Sequence, residues 1–262
     1  MKRIALLNTL LAASLLLAAV AWNGESAPVG GDRPYHFGFK KGRNGQPASI
    51  DQEGFKPLLE RYGAIFLGSQ ARKALYLTFD NGYENGQTAR ILDVLKDRKV
   101  PAAFFVTGHY VRTAPELLRR MVDEGHLIGN HSWSHPDLTT LPESKIRDEL
   151  DRVATEVARL TGQKQMIFLR PPRGIFSERT LAVGQDLGYV HVFWSVAYKD
   201  WETNRQRGAD YAFRQVTEQL HPGAVILLHA VSRDNAEALG SIIDEARKRG
   251  YTFERLDQAL LE

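Results

Sequence analysis

Cysteine does not occur anywhere in this chain of 262 residues. That absence excludes disulfides, thiolate metal sites, a cysteine nucleophile and lipidation of a leader cysteine. No stripe of Lys and Arg interleaved with aromatics is found, which argues against a nucleic-acid partner. No glycine-rich dinucleotide fingerprint follows the first buried strand, and no internal repeat or low-complexity tract is present. What is present is ample core material. About 43% of the residues are hydrophobic, which suits one large globular domain plus a short extension. The net charge is +3, and Lys2 and Arg3 are the only charges in residues 1–21, so the remainder carries 3 − 2 = +1.

The N-terminus reads as a targeting segment. Lys2 and Arg3 precede an apolar stretch from Ile4 to Ala21, and Ala19-Val20-Ala21 fits a small-residue cleavage site. The reading is a signal peptide or membrane anchor over 1–21, with the following chain exported and any membrane contact made through an uncleaved leader. Residues 22–73 read as a linker and N-terminal extension, in which Tyr35, Phe37 and Phe39 tack the chain onto the main domain. A short helix is expected over Phe55–Tyr62.

From 74 to 262 strands and helices alternate. Expected strands are Leu75–Phe79, Ala102–Val106, Leu127–Gly129, Met166–Leu169, Val190–Val196, Ala224–Leu228 and Thr252–Arg255. Expected helices are Gln87–Arg98, Pro115–Glu124, Glu143–Leu160, Glu178–Leu187, Tyr211–Leu220 and Asn235–Arg249, with a short terminal helix. Seven strand–helix units in roughly 190 residues imply parallel strands with helical crossovers. The fold class is α/β, and a closed or nearly closed barrel is favoured over an open sheet.

Polar residues mark the strand ends, where such folds place their chemistry. The first strand stops at Asp80-Asn81-Gly82 and the third runs into His131-Ser132-Trp133-Ser134-His135. The fourth meets Arg170-Pro171-Pro172-Arg173, the fifth leads to Asp200-Trp201, and the sixth ends at His229. His131 and His135 are spaced i, i+4, which on a helical turn presents both rings to one metal ion; the alternative is two surface or capping histidines. Asp80 is either a turn-former or a general base beside a bound water. Arg170, fixed by the prolines after it, either forms a bidentate pair that orients a carboxylate such as Asp80 or is part of a structural salt bridge at the rim. His229 is either a satisfied core residue or the acid that protonates a leaving amine, with Asp200 keeping it charged. Arg173 is either solvated or offers its backbone N–H to an oxyanion; Trp201 supports a site wall or simply packs.

Taken together, TFDNG at 78–82, HSWSH at 131–135, RPPRG at 170–174, DW at 200–201 and LLH at 227–229 resemble the polysaccharide deacetylases of carbohydrate esterase family 4, the NodB-homology domain. The family's first motif ordinarily carries two adjacent acids, and the second is Asn81 here. TFDNGYENG at 78–86, VPAAFFVTGHY at 100–110, GNHSWSHPDLT at 129–139 and GFKKG at 38–42 are similar to one subgroup, the delta-lactam-biosynthetic peptidoglycan N-acetylmuramic acid deacetylases of spore-forming bacteria.

The resemblance implies a distorted (β/α)7-8 barrel with an N-terminal extension. It implies a hydrolase of linear amide bonds that needs a divalent metal ion (zinc, manganese or cobalt). Carried over by position, Asp80 is the base, His131, His135 and Asn81 hold the metal, Arg170 orients Asp80, and His229 is the acid assisted by Asp200. The implied partner is the peptidoglycan glycan strand after an amidase has removed its stem peptides, outside the membrane. Three alternatives stay open: another polysaccharide (chitooligosaccharide, peptidoglycan N-acetylglucosamine or xylan), a glycan-binding domain without turnover, or a structural envelope protein.

Overall fold

The computed structural model describes residues 31–261. The leader expected over residues 1–21 lies outside the described residues. Among the described residues no helix is long and apolar enough to cross a membrane.

The extension contributes β1 (Tyr35–His36) and α1 (Lys56–Arg61). The main body then runs β2 (Ala74–Asn81), α2 (Thr88–Arg98), β3 (Ala103–Val106), α3 (Gly108–Thr113), α4 (Pro115–Asp123), β4 (Leu127–Asn130) and α5 (Glu143–Thr161). It continues with β5 (Phe168–Leu169), β6 (Ile175–Phe176), α6 (Glu178–Asp186), β7 (Val190–His191), α7 (Ala209–Thr217), β8 (Ala224–His229), α8 (Arg233–Lys248) and β9 (Thr252–Phe253).

Every residue of β2 is buried, as expected of a strand covered on both faces in a parallel sheet. Leu75, Leu77 and Phe79 pack into the layer shared with the helices, while Ala74 and Tyr76 point inward among Phe105, Phe168, Val192 and Val225. Asp80 follows the inward parity and so emerges at the open end of the interior. The parallel sheet runs β7-β5-β4-β3-β2-β8, with β9 also paired to β2. Beyond β7 the chain bridges Ile65 at Val192 and Ile226 of β8 at Val196, which brings the two ends of the sheet together. The result is a curled (β/α) barrel that is closed by isolated bridges rather than by a full ladder. The single strand expected over Val190–Val196 is therefore a two-residue strand followed by a jog, because its backbone serves three neighbours in turn.

The helices follow their apolar stripes. Ile91, Leu92 and Leu95 are the buried face of α2, and Ile146, Leu150, Val153 and Val157 that of α5, which ends at Gly162 in the left-handed conformation. Truncating one such buried Leu to Ala costs about 2–5 kcal/mol. Helix α3 was not expected; Thr107 caps it by accepting from the Tyr110 N–H.

The extension is built into the wall of the barrel. β1 pairs antiparallel with β6, Tyr35 opposite Phe176 and His36 opposite Ile175. The Phe37 ring stacks on Phe193 at 4.5 Å and meets Trp194 edge-on at 5.0 Å, and the Phe37 N–H donates to the Gly174 carbonyl at 2.8 Å. These contacts hold the Arg170–Gly174 loop from outside.

Candidate active site

At the carboxyl end of the barrel lies a cavity of about 830 Å³. Asp80, His131, His135, Arg173, Trp201 and His229 all line it, although they come from five separate stretches of the chain. Register explains part of this convergence, since Asp80 stands beside both Phe105 and His229 on its neighbouring strands.

Arg170 crosses the interior beneath Asp80 with no exposed surface. Its Nη1 donates to Asp80 Oδ1 at 2.7 Å, its Nη2 to Thr78 Oγ1 at 2.9 Å, and its Nε to the Val192 carbonyl at 3.2 Å. Its Cζ lies 4.1 Å from the Phe105 ring centroid. The expected bidentate pair is thus a single bond to the carboxylate. The second guanidinium nitrogen is taken by Thr78, and Asp80 Oδ2 is left to the cavity. Burial alone would raise the Asp80 pKa, but the Arg170 guanidinium, by its charge and its hydrogen bond, and His229 beside it hold it below the ordinary 3.8. Asp80 is an ionised carboxylate with one anchored oxygen and one working oxygen.

His131 Nδ1 lies 2.8 Å from the Arg170 carbonyl oxygen, which can only accept. The ring therefore carries its proton on Nδ1 and presents the Nε2 lone pair to the cavity. Nε2 lies 3.4 Å from Asp80 Oδ2. The His135 ring lies 4.8 Å from that of His131 at 69°. Burial depresses both histidines, and His135 falls to about 4, with His131 adding to the effect. They do not share a helical turn as the spacing suggested. The 131–135 segment is a loop with Ser132 and His135 at positive φ, of 64° and 58°. Asn130 Oδ1 accepts from the Ser132 N–H at 2.9 Å, and Glu149 accepts from the Ser134 N–H and hydroxyl, both at 2.7 Å. Polar pins rather than helical geometry bring the two rings together.

His229 has a different neighbour behind it. Its Nδ1 is 2.7 Å from Asp200 Oδ1, and Asp200 Oδ2 accepts the His229 N–H at 2.8 Å and Asn235 Nδ2 at 2.6 Å. Burial pulls the His229 pKa down, but Asp200 and, less strongly, Asp80 lift it above 6.5 on balance. The Trp201 ring is 5.4 Å from that of His229 and is half exposed.

Asn81 is fully buried and does not line the cavity. Its Nδ2 is 3.4 Å from Thr88 Oγ1, and its Oδ1 has no hydrogen-bond partner among the described residues. Among the described residues, no three His, Asp or Glu side chains form a ready-made metal site. The donor set nonetheless fits a divalent cation. Two neutral imidazoles share the cavity, and the Nε2 lone pair of one faces a carboxylate oxygen with no proton between them; the third donor expected, Asn81, has its side chain beside Thr88, outside the cavity lining.

Sequence reasoning passed over the second strand end. Thr107, His109 and Arg112 follow β3 and line the cavity, as do Tyr83, Trp133 and Trp194. The polar Thr107-Gly108-His109 immediately after Val106 was the available signal; nothing in the local sequence marked Trp194.

A family model described as polysaccharide deacetylase matches residues 68–192. A Geobacillus stearothermophilus protein, named only as an uncharacterized 30.6 kDa protein, is 53% identical over 95% of this chain and 93% of its own length. The Bacillus subtilis (strain 168) protein named peptidoglycan-N-acetylmuramic acid deacetylase PdaA is 50% identical over 95% of this chain and 94% of its own. The solved structure of Bacillus subtilis PdaA, described as a family 4 carbohydrate esterase, superposes with a TM-score of 0.86 at 51% identity, covering 88% of this chain and 98% of that one. With that likeness over nearly the whole length and the cavity residues converging as they do, the chain belongs to the polysaccharide deacetylase family, the family 4 carbohydrate esterases.

Proposed function

We propose that this protein is a metal-dependent N-deacetylase of N-acetylmuramic acid in peptidoglycan, working outside the membrane on glycan already stripped of stem peptide. The reaction class rests on one observation: an ionised Asp80 with a free Oδ2 shares a cavity with a His229 whose proton affinity is raised by Asp200. Such a pair, driven apart by its surroundings, supplies a base and an acid at one pH. The choice of sugar rests on similarity to the Bacillus subtilis enzyme over almost the full length of both chains.

A divalent cation (zinc, manganese or cobalt) held by His131 and His135 would supply Lewis-acid polarisation of the acetamide carbonyl when bound. Asp80 Oδ2 accepts a proton from the attacking water, whose oxygen forms a bond to the carbonyl carbon. Arg170 keeps Asp80 oriented and anionic through Oδ1. The Arg173 backbone N–H is offered to the developing oxyanion. His229 Nε2–H then protonates the sugar nitrogen as the C–N bond breaks, and acetate leaves. Trp201 walls the site beside His229. The freed amine lies next to the lactyl carboxyl group on the same sugar, and its attack on that carboxyl carbon, with loss of the carboxyl oxygen as water, yields the muramic delta-lactam of spore cortex.

Acetate release from intact and amidase-treated peptidoglycan, with chelator and with a panel of divalent cations, tests this reading. Release is expected from the treated glycan and is expected to stop with chelator. Acetate from chitin oligomers but none from muramic glycan would overturn the substrate, and full activity in chelator would overturn the metal.

A further inference from the structure

We propose that Arg112, held over Trp133 at the lip of the cavity, is the residue that selects muramic acid, by pairing with the free carboxylate of its lactyl group. The inference deepens the muramic acid reading and rests on it.

Trp133 lies between the two histidines in sequence and is built into the cavity wall. A Cβ on Gly108 would stand 2.2 Å from Trp133 Cδ2, so the indole occupies the space that a side chain at this first residue of α3 would fill. The Gly108 N–H donates to the Trp133 carbonyl at 3.0 Å and ties the two segments together. One turn further along α3, Arg112 places its Cζ 5.0 Å from the Trp133 ring centroid, and Arg152 of α5 places its own at 3.9 Å. Stacking of this kind fixes the plane of a guanidinium without using its hydrogen-bond donors.

Among the described residues nothing accepts from the Arg112 donors, which leaves them to a ligand. Surface arginines elsewhere are mostly paired, Arg61 with Glu178, Arg98 with Asp244 and Arg147 with Asp186. Among the described residues Arg112 has no carboxylate within ion-pair distance, although it lines the cavity. The one carboxylate in the cavity lining, Asp80, is already bonded to Arg170. The lip therefore presents an oriented, uncompensated fork of donors, the geometry that recognises a carboxylate.

Chemistry names the anion. In muramic acid the lactyl ether sits on the carbon next to the one bearing the acetamide, so its carboxyl group is held within a few bonds of the reacting carbonyl. A stem peptide turns that carboxyl into a neutral amide, and N-acetylglucosamine lacks it. An arginine at this lip distinguishes all three. Arg173 also lines the cavity, but no ring or ion pair fixes its guanidinium among the described residues.

The test is steady-state acetate release by the full chain on three substrates: amidase-stripped muramic glycan, the same strands with their carboxyls converted to methylamides, and chitin oligomers. Arg112→Gln is expected to lower kcat/KM on the free-acid strands about tenfold, mainly through KM, and to abolish the preference over the methylamide strands. Arg112→Lys should restore part of that preference. Salt should raise the wild-type KM on the free-acid strands more than on chitin oligomers. Equal losses on free-acid and methylamide strands, or a selective loss in Arg173→Gln with none in Arg112→Gln, would overturn the proposal. Wild-type turnover of chitin oligomers alone would remove the muramic acid reading itself, and the proposal with it. An unchanged thermal unfolding curve for Arg112→Gln separates recognition from folding.

Discussion

His131 and His135 share a cavity with His229, yet the proton affinity of the first two is lowered and that of the third is raised, although His131 is buried and His135 is exposed at the cavity surface. Burial is the largest influence on each and disfavours the imidazolium every time. The outcome turns on what stands behind the ring. Behind His131 is a neutral backbone carbonyl, so desolvation prevails and a lone pair faces the cavity. Behind His229 is a buried carboxylate that accepts from both its ring and its own N–H, and the proton stays. One residue type thus presents a lone pair on one side and a held proton on the other, the two forms that the proposed function needs, and what stands behind each ring makes the choice.

The severest way to break this comparison is to remove Asp80, which acts on both sides. Asp80→Ala should lower acetate release by roughly 10³-fold or more, since it deletes the base. It also leaves Arg170 buried without its carboxylate, a loss of about 3–5 kcal/mol in urea unfolding. Because the folded-state pKa of Asp80 is depressed, its contribution to stability is full above the unfolded value near 3.8 and is lost as pH falls through the lower folded value. The variant should lack that part of the acid-side decline. Activity above a tenth of wild type would remove Asp80 from the mechanism.

Asp200→Asn comes next in size and attacks the charged side alone. Without the carboxylate, burial governs His229, and its proton affinity should drop below the ordinary 6.5. We expect kcat near neutrality to fall about 10²-fold and the alkaline limb of the pH–rate profile to move to lower pH. The raised His229 pKa carries the matching stability sign: its contribution is complete below 6.5 and disappears as pH rises through the folded value. An alkaline limb that stays in place would mean that another group donates the proton.

Much of this arrangement was legible in the sequence, for a physical reason. Strand ends are where the apolar run stops, so Asp80, Arg170 and His229 announce themselves at the borders of β2, β5 and β8. The Asp80–Arg170 and His229–Asp200 partnerships follow from placing those borders on one rim. What the linear pattern does not encode is backbone irregularity. The left-handed Ser132 and His135, and the jog after β7, depend on distant anchors such as Glu149 and Ile226. Periodicity therefore put the histidines on a helix that does not form. The extension was legible as aromatic and sticky, but its pairing of Tyr35 with Phe176 is a long-range contact between two dipeptide strands too short to show a period.

A smaller change sharpens the neutral side. Asn81 is buried with an unpartnered Oδ1, so Asn81→Asp exchanges a neutral oxygen for an anionic one with little change in volume. If the side chain at 81 turns from Thr88 toward the cavity when a cation binds, the added charge should tighten Co²⁺ or Zn²⁺ binding about tenfold by calorimetry. Its cost is a second buried carboxylate in the Thr88–Tyr110 neighbourhood, where Tyr110 already bonds Glu84 at 3.1 Å. Equal affinities in the two proteins would show that residue 81 does not reach the cation.

The finest test counts protons. Two imidazoles of ordinary pKa are mostly protonated at about pH 5.5 and would together release nearly two protons when a cation binds. If both rings are already neutral in the free protein, the direction in which His131 and His135 are shifted, release at that pH should be close to zero. Calorimetry with Mn²⁺ in buffers of different ionisation enthalpy reads the number directly. Mn²⁺ suits the measurement because it leaves its own water largely intact under these conditions. A count near two would mean that both rings are solvated when free and acquire their neutral form only from the metal, and the contrast with His229 would then belong to the loaded protein alone.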